Sequence, residues 1–92
     1  MSQFQYNPEN QDLPDQKIDP SLAAMNCCRL YERASQEISE GRFEDAQDTC
    51  DEVEALWIDH IAPAHEVRVY ALKVSARSAL LNWRIAQILE QN

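Results

Sequence analysis

The sequence is poor in glycine, since Gly41 is the only one among its 92 residues. It contains four prolines. An all-β fold needs turn residues about every 8–12 positions, so this composition argues against one. A single glycine also excludes the glycine-rich loops that cradle phosphates. The chain lacks a run of about 18 apolar residues, which argues against a transmembrane helix, and its polar first residues do not resemble a signal peptide.

Basic residues are also scarce. Eight Lys and Arg stand against sixteen Asp and Glu, which gives a formal net charge of −8. Phosphate contacts need clustered Lys and Arg, so nucleic acid is not an expected partner. Hydrophobic residues make up 45% of the chain and charged residues 26%, as in ordinary globular proteins. We therefore expect a small helical protein of the cytoplasm with no membrane contact.

Cysteine occurs at three positions, Cys27, Cys28 and Cys50, without CxxC spacing. An odd number cannot close into a full set of intramolecular disulfides. Cys27 and Cys28 are adjacent, so on a helix they point about 100° apart and do not face one zinc ion together. We expect three reduced thiols that act as small apolar residues in a reducing compartment.

One cluster has acid–base or metal-binding potential: Asp59, His60, His65 and Glu66. The two histidines are five positions apart on either side of Pro63, so they do not share a helical face as zinc-binding pairs do. No third ligand is identifiable, and no serine lies in a nucleophile elbow. The sequence predicts no catalytic residue, no metal site and no cofactor, and we expect a protein that is not an enzyme.

The chain divides into a segment over 1–19 and a helical domain over 20–92. The first segment is rich in Gln, Asn, Asp and Pro and shows no helical or strand period, which is typical of a flexible acidic tail. Alternatively, Phe4 and Tyr6 anchor in a partner or fold back over the domain.

Three helices are predicted in the domain. The first begins at Asp19-Pro20, a capping pair, and ends at Gly41, which adopts the left-handed cap conformation freely. The second begins at Arg42-Phe43 and stops before Pro63. Their apolar residues recur at spacings of three and four, typical of amphipathic helices. These residues are Ala23, Cys27, Leu30, Ala34 and Ile38 in the first helix, and Phe43, Ala46, Cys50, Val53 and Trp57 in the second.

The third helix is predicted from about Pro63 to Glu90 and carries two adjacent apolar stripes. One stripe is Val67, Tyr70, Val74, Ser78, Leu81, Ile85 and Ile88, and the other is Leu72, Ala76, Ala79, Leu80, Trp83 and Ala86. A helix this apolar is covered on two sides, and only two other helices are available. We therefore expect self-association or a protein partner, with Leu72, Leu80 and Trp83 among the residues that it covers.

A pattern of an aromatic, two variable residues and alanine occurs at Phe43–Ala46 and again at Trp83–Ala86, 40 positions later. The stretch 40–46, EGRFEDA, resembles the turn between the two helices of a tetratricopeptide repeat. Leu30 and Ala34 stand where that family places its large and small first-helix residues. The resemblance covers residues 27–63 and, as a partial second repeat, 67–89. It implies an antiparallel three-helix fold, a helix-turn-helix unit followed by a long C-terminal helix.

The resemblance also implies a function. Proteins of this family are scaffolds that bind a peptide or helix on the concave face formed by the first helices of successive repeats. Small tetratricopeptide-like chaperones of bacterial secretion systems are similar in size and acidity. A chaperone or adaptor that binds a helix or peptide of another protein is therefore the function we expect. By position, the concave face here would present Cys28, Tyr31, Ser35, Arg68, Ala71 and Ser75.

A second function is open. Residues 37–59 contain nine acidic residues and one arginine, a net charge of −8, whereas residues 60–92 contain four basic and two acidic residues, a net charge of +2. An acidic surface of this kind steers basic partners. The alternative is therefore an acidic inhibitor of a basic enzyme, such as an immunity protein or an antitoxin.

Overall fold

A computed structural model describes residues 18–91 of the chain. These residues form three helices and no strand, which confirms the predicted all-α fold. Residues 1–17, which make up nearly all of the predicted tail, lie outside the described part. The helices are α1 (Pro20–Ser39), α2 (Phe43–Leu56) and α3 (Glu66–Gln91), with two 3₁₀ turns, Ile58–His60 and Pro63–His65, between α2 and α3. No helix within residues 18–91 is long and apolar enough to cross a bilayer.

Both ends of α1 are capped as predicted. The Asp19 carboxylate accepts a hydrogen bond from the Ser21 amide at 2.9 Å, and Pro20 occupies the first helical position, where a missing N–H costs little. At the other end Gly41 has a φ of +81°. The amides of Gly41 and Arg42 donate to the carbonyls of Ile38 and Glu37 at 3.0 and 2.8 Å, the paired bonds of a Schellman cap.

Glu37 anchors the corner between α1 and α2 from inside. Its side chain is only 3% exposed, and its carboxylate accepts a bond from the Thr49 hydroxyl of α2 at 2.8 Å. Arg33 and Arg42 approach the second carboxylate oxygen at 3.3 and 3.9 Å. The sequence suggested an acidic surface over 37–59, but Glu37 lies three positions after Ala34 and thus on the buried face of α1.

The three helices pack up, down and up. The bond from Thr49 to Glu37 pairs the end of α1 with the first half of α2, so α1 and α2 are antiparallel. Phe43, at the start of α2, stacks on Trp83 near the end of α3 with ring centroids 5.1 Å apart, so α2 and α3 are antiparallel too. The core at their centre is made of Ala23, Ala24, Cys27, Tyr31, Ala34, Ala46, Cys50, Val53, Ile58, Ile61, Val69, Ala76 and Leu80.

Helix α3 runs through Asn82 without a break. A second helix-turn-helix unit, which the partial repeat over 67–89 would require, therefore does not form within the described residues. Phe43 and Trp83, the two aromatics of the repeated pattern, instead contact each other with their rings 8° from parallel. The last eight residues of α3, 84–91, are all exposed, since the helix continues beyond Trp83 and the start of α2.

Gly41 provides the first test of this fold. An added Cβ at Gly41 meets no atom within 4 Å, so the cost of a side chain there comes from the left-handed φ of +81° alone. We expect Gly41→Ala to lower the free energy of unfolding by about 1 kcal/mol, measured by urea denaturation. A variant as stable as the wild type would contradict the left-handed cap.

Candidate protein-binding surface

All three helices are joined by a polar junction, which consists of Tyr31, Asp51, Glu54 and Arg77. The Tyr31 hydroxyl of α1 donates to Glu54 Oε2 of α2 at 3.0 Å. Arg77 of α3 donates to both oxygens of Glu54, at 3.0 and 2.8 Å, and to Asp51 at 2.7 Å. This fork of parallel bonds is the strongest arrangement that an arginine and a carboxylate form.

The protonation states of the junction are those of a structural ion pair. Burial works to raise the pKa of Glu54, but hydrogen bonds from Arg77 and Tyr31 outweigh it and leave that pKa below its ordinary value. Burial, followed by the hydrogen bond to Glu54, raises the pKa of Tyr31. The bond to Glu54 likewise raises the pKa of Arg77. Tyr31 is therefore neutral and Glu54 ionised at pH 7, which satisfies both without a proton transfer.

Tyr31 belongs to this junction and not to an open face. Its side chain is fully buried, so its predicted place on a concave binding surface is corrected. The physical reason is its reach: the ring fills the core of α1 and α2 while the hydroxyl contacts a charged partner on α2.

The cysteines and histidines show no site chemistry among the described residues. The three cysteines are free thiols, and burial raises the pKa of Cys27 and of Cys50 to about 11, so both thiols are protonated at pH 7. No group of three metal-ligating side chains occurs within residues 18–91. His60 ends the first 3₁₀ turn and His65 the second, and neither joins such a group.

The other predicted site residues separate into two sets. Leu80 is 5% exposed, and Leu72 and Trp83 pack against the core from its edge. Leu80 is part of the core, so the expectation that a partner covers it is corrected, whereas Leu72 and Trp83 keep partial exposure and the expectation for them stays a prediction. Cys28 is half-buried and the rest of the second set is exposed: Ser35, Arg68, Ala71 and Ser75.

Cys28 and Arg68 come together where α1 and α3 run side by side. They line a groove of about 260 Å³ together with Met25, His65 and Val69, among other residues. Because α1 and α3 are parallel neighbours, this groove lies where two successive first helices of a repeat array would meet. Ala71 and Ser75 continue the same side of α3 as exposed residues.

Six of the ten large apolar side chains that are exposed within residues 18–91 lie along one side of α3, the outer stripe. We define the outer stripe as Val67, Tyr70, Val74, Ser78, Leu81, Ile85 and Ile88. Its six large side chains are between 40% and 85% exposed. The buried residues Val69, Ala76 and Leu80 lie on the opposite side of the helix, so no other helix of the described part covers the stripe. Within α3, the Lys73 ammonium lies over the Tyr70 ring, 5.6 Å from its centroid.

The sequence predicted both stripes of α3 but expected the stripe with Ala76 and Leu80, which packs inward, to be the one left uncovered. Periodicity alone does not say which of two apolar faces turns inward. A usable signal was the alanine content, since Ala76 and Ala79 let α3 approach α1 and α2 closely, whereas the outer stripe contains no alanine.

No known protein family, curated protein or solved structure matches this chain. The tetratricopeptide resemblance therefore stays a prediction, and function is argued from the surface itself.

The junction generates a prediction about stability and pH. A carboxylate whose pKa is lowered by folding stabilises the protein above the unfolded pKa, about 4.5, and that stabilisation is lost as the pH falls through the folded value. We expect Glu54→Gln to lower the free energy of unfolding by about 1–2 kcal/mol at pH 7, with a smaller difference from wild type below pH 4.

Asp51→Asn is the matched control, because the Asp51 side chain is 59% exposed and its contact with Arg77 is open to solvent. We expect it to change stability by less than about 0.5 kcal/mol. Equal effects of the two substitutions in urea titrations at pH 7 would contradict the assigned role of Glu54.

Proposed function

We propose that this chain is a non-enzymatic protein-interaction module, a small acidic chaperone or adaptor that binds a helix of a partner chain along the outer stripe of α3. The observation that carries the proposal is the exposure of six large apolar side chains on one helical face, from Val67 to Ile88. These residues span 21 steps of helix, about 32 Å at 1.5 Å per residue.

A surface of this shape fits an amphipathic helix. Proteins rarely expose contiguous apolar patches of this length unless the patch binds something. Covering each large side chain contributes about 1.5–3 kcal/mol before the costs of association, so several together are enough for specific binding. A partner helix meets such a stripe through its own apolar residues at spacings of three and four.

Arg68, Ala71 and Ser75 border the stripe on the side toward α1. They form the concave-face positions that the resemblance implies, and they offer a charge and small side chains at the rim of an apolar strip. Polar rims around apolar centres are typical of protein interfaces. We place this activity in the cytoplasm, since three free thiols suit a reducing compartment.

The exposed acidic side of α2 supports the second candidate function, an acidic inhibitor of a basic enzyme. Glu44, Asp48, Asp51 and Glu52 are all exposed there. Salt separates the two functions, because binding driven by charge weakens at least about tenfold between low and high salt, whereas apolar binding changes little.

The test of the proposed function compares two variants of α3. Leu81→Glu places a charge in the middle of the outer stripe, and Gln87→Glu places the same charge on the side of α3 that faces Phe43, away from the stripe. In affinity capture from the source cells followed by mass spectrometry, we expect a protein that binds wild type and Gln87→Glu stoichiometrically and is lost with Leu81→Glu. A partner retained by Leu81→Glu but lost with Asp48→Lys would favour the inhibitor instead.

A further inference from the structure

We infer that the outer stripe of α3 binds a second copy of this chain, with the two α3 helices antiparallel across a twofold axis near Ser78. This inference rests on the proposed function, because it names the partner of the same surface. It is carried by the arrangement of the stripe, its lack of charge and the exposed end of α3.

The stripe is self-complementary when reversed. A twofold interface places residue i against residue j and residue j against residue i. The six large residues form three pairs that lie symmetrically about the midpoint between Arg77 and Ser78. The pairs are Val67 with Ile88, Tyr70 with Ile85, and Val74 with Leu81.

The centre of the stripe suits a close crossing. Ser78, the one small residue of the stripe, lies next to the symmetry point and is exposed. Small side chains at a crossing point let two helices approach, while larger ones above and below interdigitate. No charged residue belongs to the stripe. Lys73, whose ammonium lies over the Tyr70 ring, has a long side chain that keeps its charge in water at the edge of the contact, so two copies meet without burying an unpaired charge.

The exposed end of α3 gains a neighbour in this arrangement. Residues 84–91 extend past the start of α2, and Ile85 and Ile88 are 45% and 53% exposed. In the antiparallel pair they lie against the first turns of α3 of the second copy, where Val67 is 85% exposed. One contact therefore covers both Val67, the most exposed residue of the stripe, and the exposed C-terminal end of α3.

Residues 1–17 of the same chain fit the stripe less well. Their sequence offers Met1, Phe4, Tyr6 and Leu13 as large apolar residues, and their spacing does not follow the three-and-four pattern of a helix. A second α3 presents six large apolar residues already fixed on one face.

The expected dimer is moderate in affinity and responds to salt in a defined direction. A single pair of helices buries less surface than a standard interface, so we expect a dissociation constant of the order of micromolar. Each copy has a net charge of −8, and salt screens the repulsion between copies. Dimerisation should therefore strengthen as salt is added, whereas capture of a basic partner weakens.

A charge swap tests both the partner and the orientation. Val74→Lys and Leu81→Glu each place a charge against an apolar side chain of the second copy, so each alone should weaken dimerisation of the full chain about a hundredfold. Mixing the two variants should restore a dimer, because the antiparallel pair sets Lys against Glu at one contact and leaves Leu81 against Val74 at the other. Gln87→Glu is the matched control, because Gln87 is exposed on the side of α3 that faces Phe43, and this variant should dimerise like wild type.

Analytical ultracentrifugation across a concentration series measures the outcome, with circular dichroism to show that each variant is helical. For wild type we expect a dimer with twice the 10.6 kDa mass of one chain. For Val74→Lys alone and for Leu81→Glu alone we expect a monomer with the mass of one chain. If the mixture of Val74→Lys and Leu81→Glu forms no dimer, the antiparallel arrangement is overturned. Wild type that stays at 10.6 kDa at about 100 µM would overturn the inference and would point to residues 1–17 or another protein as the occupant.

The same variants keep failure of the inference apart from failure of the proposed function. A monomeric wild type whose captured partner is lost with Leu81→Glu leaves the outer stripe as a binding surface for a different chain. A monomeric wild type whose capture does not depend on the stripe overturns both.

Discussion

The bidentate bond between Arg77 and Glu54 sets the orientation of α3, and the rest of the surface depends on that orientation. Helix α3 is apolar on two faces, so apolar burial alone does not decide which one turns inward. Arg77 contacts Glu54 and Asp51 at 2.7–3.0 Å, and these bonds form only when Val69, Ala76 and Leu80 face the core. The outer stripe is then necessarily exposed.

The same junction also connects α1 to the other two helices. Tyr31 brings α1 to the carboxylate that Arg77 holds from the other side, so one side chain on α2 joins its two neighbours. A partly buried ion pair is weak evidence for stability by itself, since desolvation offsets part of the attraction. Its contribution here is specificity, because exchanging the two faces of α3 would leave Glu54 half-buried without its cation.

The local structure followed from the sequence, and the placement of particular side chains did not. Asp19, Pro20 and Gly41 specify the ends of α1 through their own backbone and hydrogen-bonding preferences, so they were readable without a structure. Glu37 and Tyr31 are buried because each finds a partner on α2, twelve and twenty-three positions away. The spacing of apolar residues along one helix does not show which residue of another helix a side chain contacts.

The sequence predicted that α3 has an uncovered apolar face, but not which residues form it. The sequence showed that one face of α3 has too few helices to cover it, and the structure shows which face that is. The missing information was the partner of Arg77, which lies on α2 and which the spacing of apolar residues on α3 does not reveal. The tetratricopeptide resemblance predicted the turn at Gly41 and the antiparallel hairpin, but the unbroken α3 departs from a second repeat.

The central claim is that this chain associates through the outer stripe of α3, and methyl NMR of the full chain over a dilution series tests it most directly. Val74, Leu81, Ile85 and Ile88 should shift with concentration, while the core methyls of Val53 and Val69 stay fixed. Shifts confined to the core or to α2, or none at any concentration, would contradict the account.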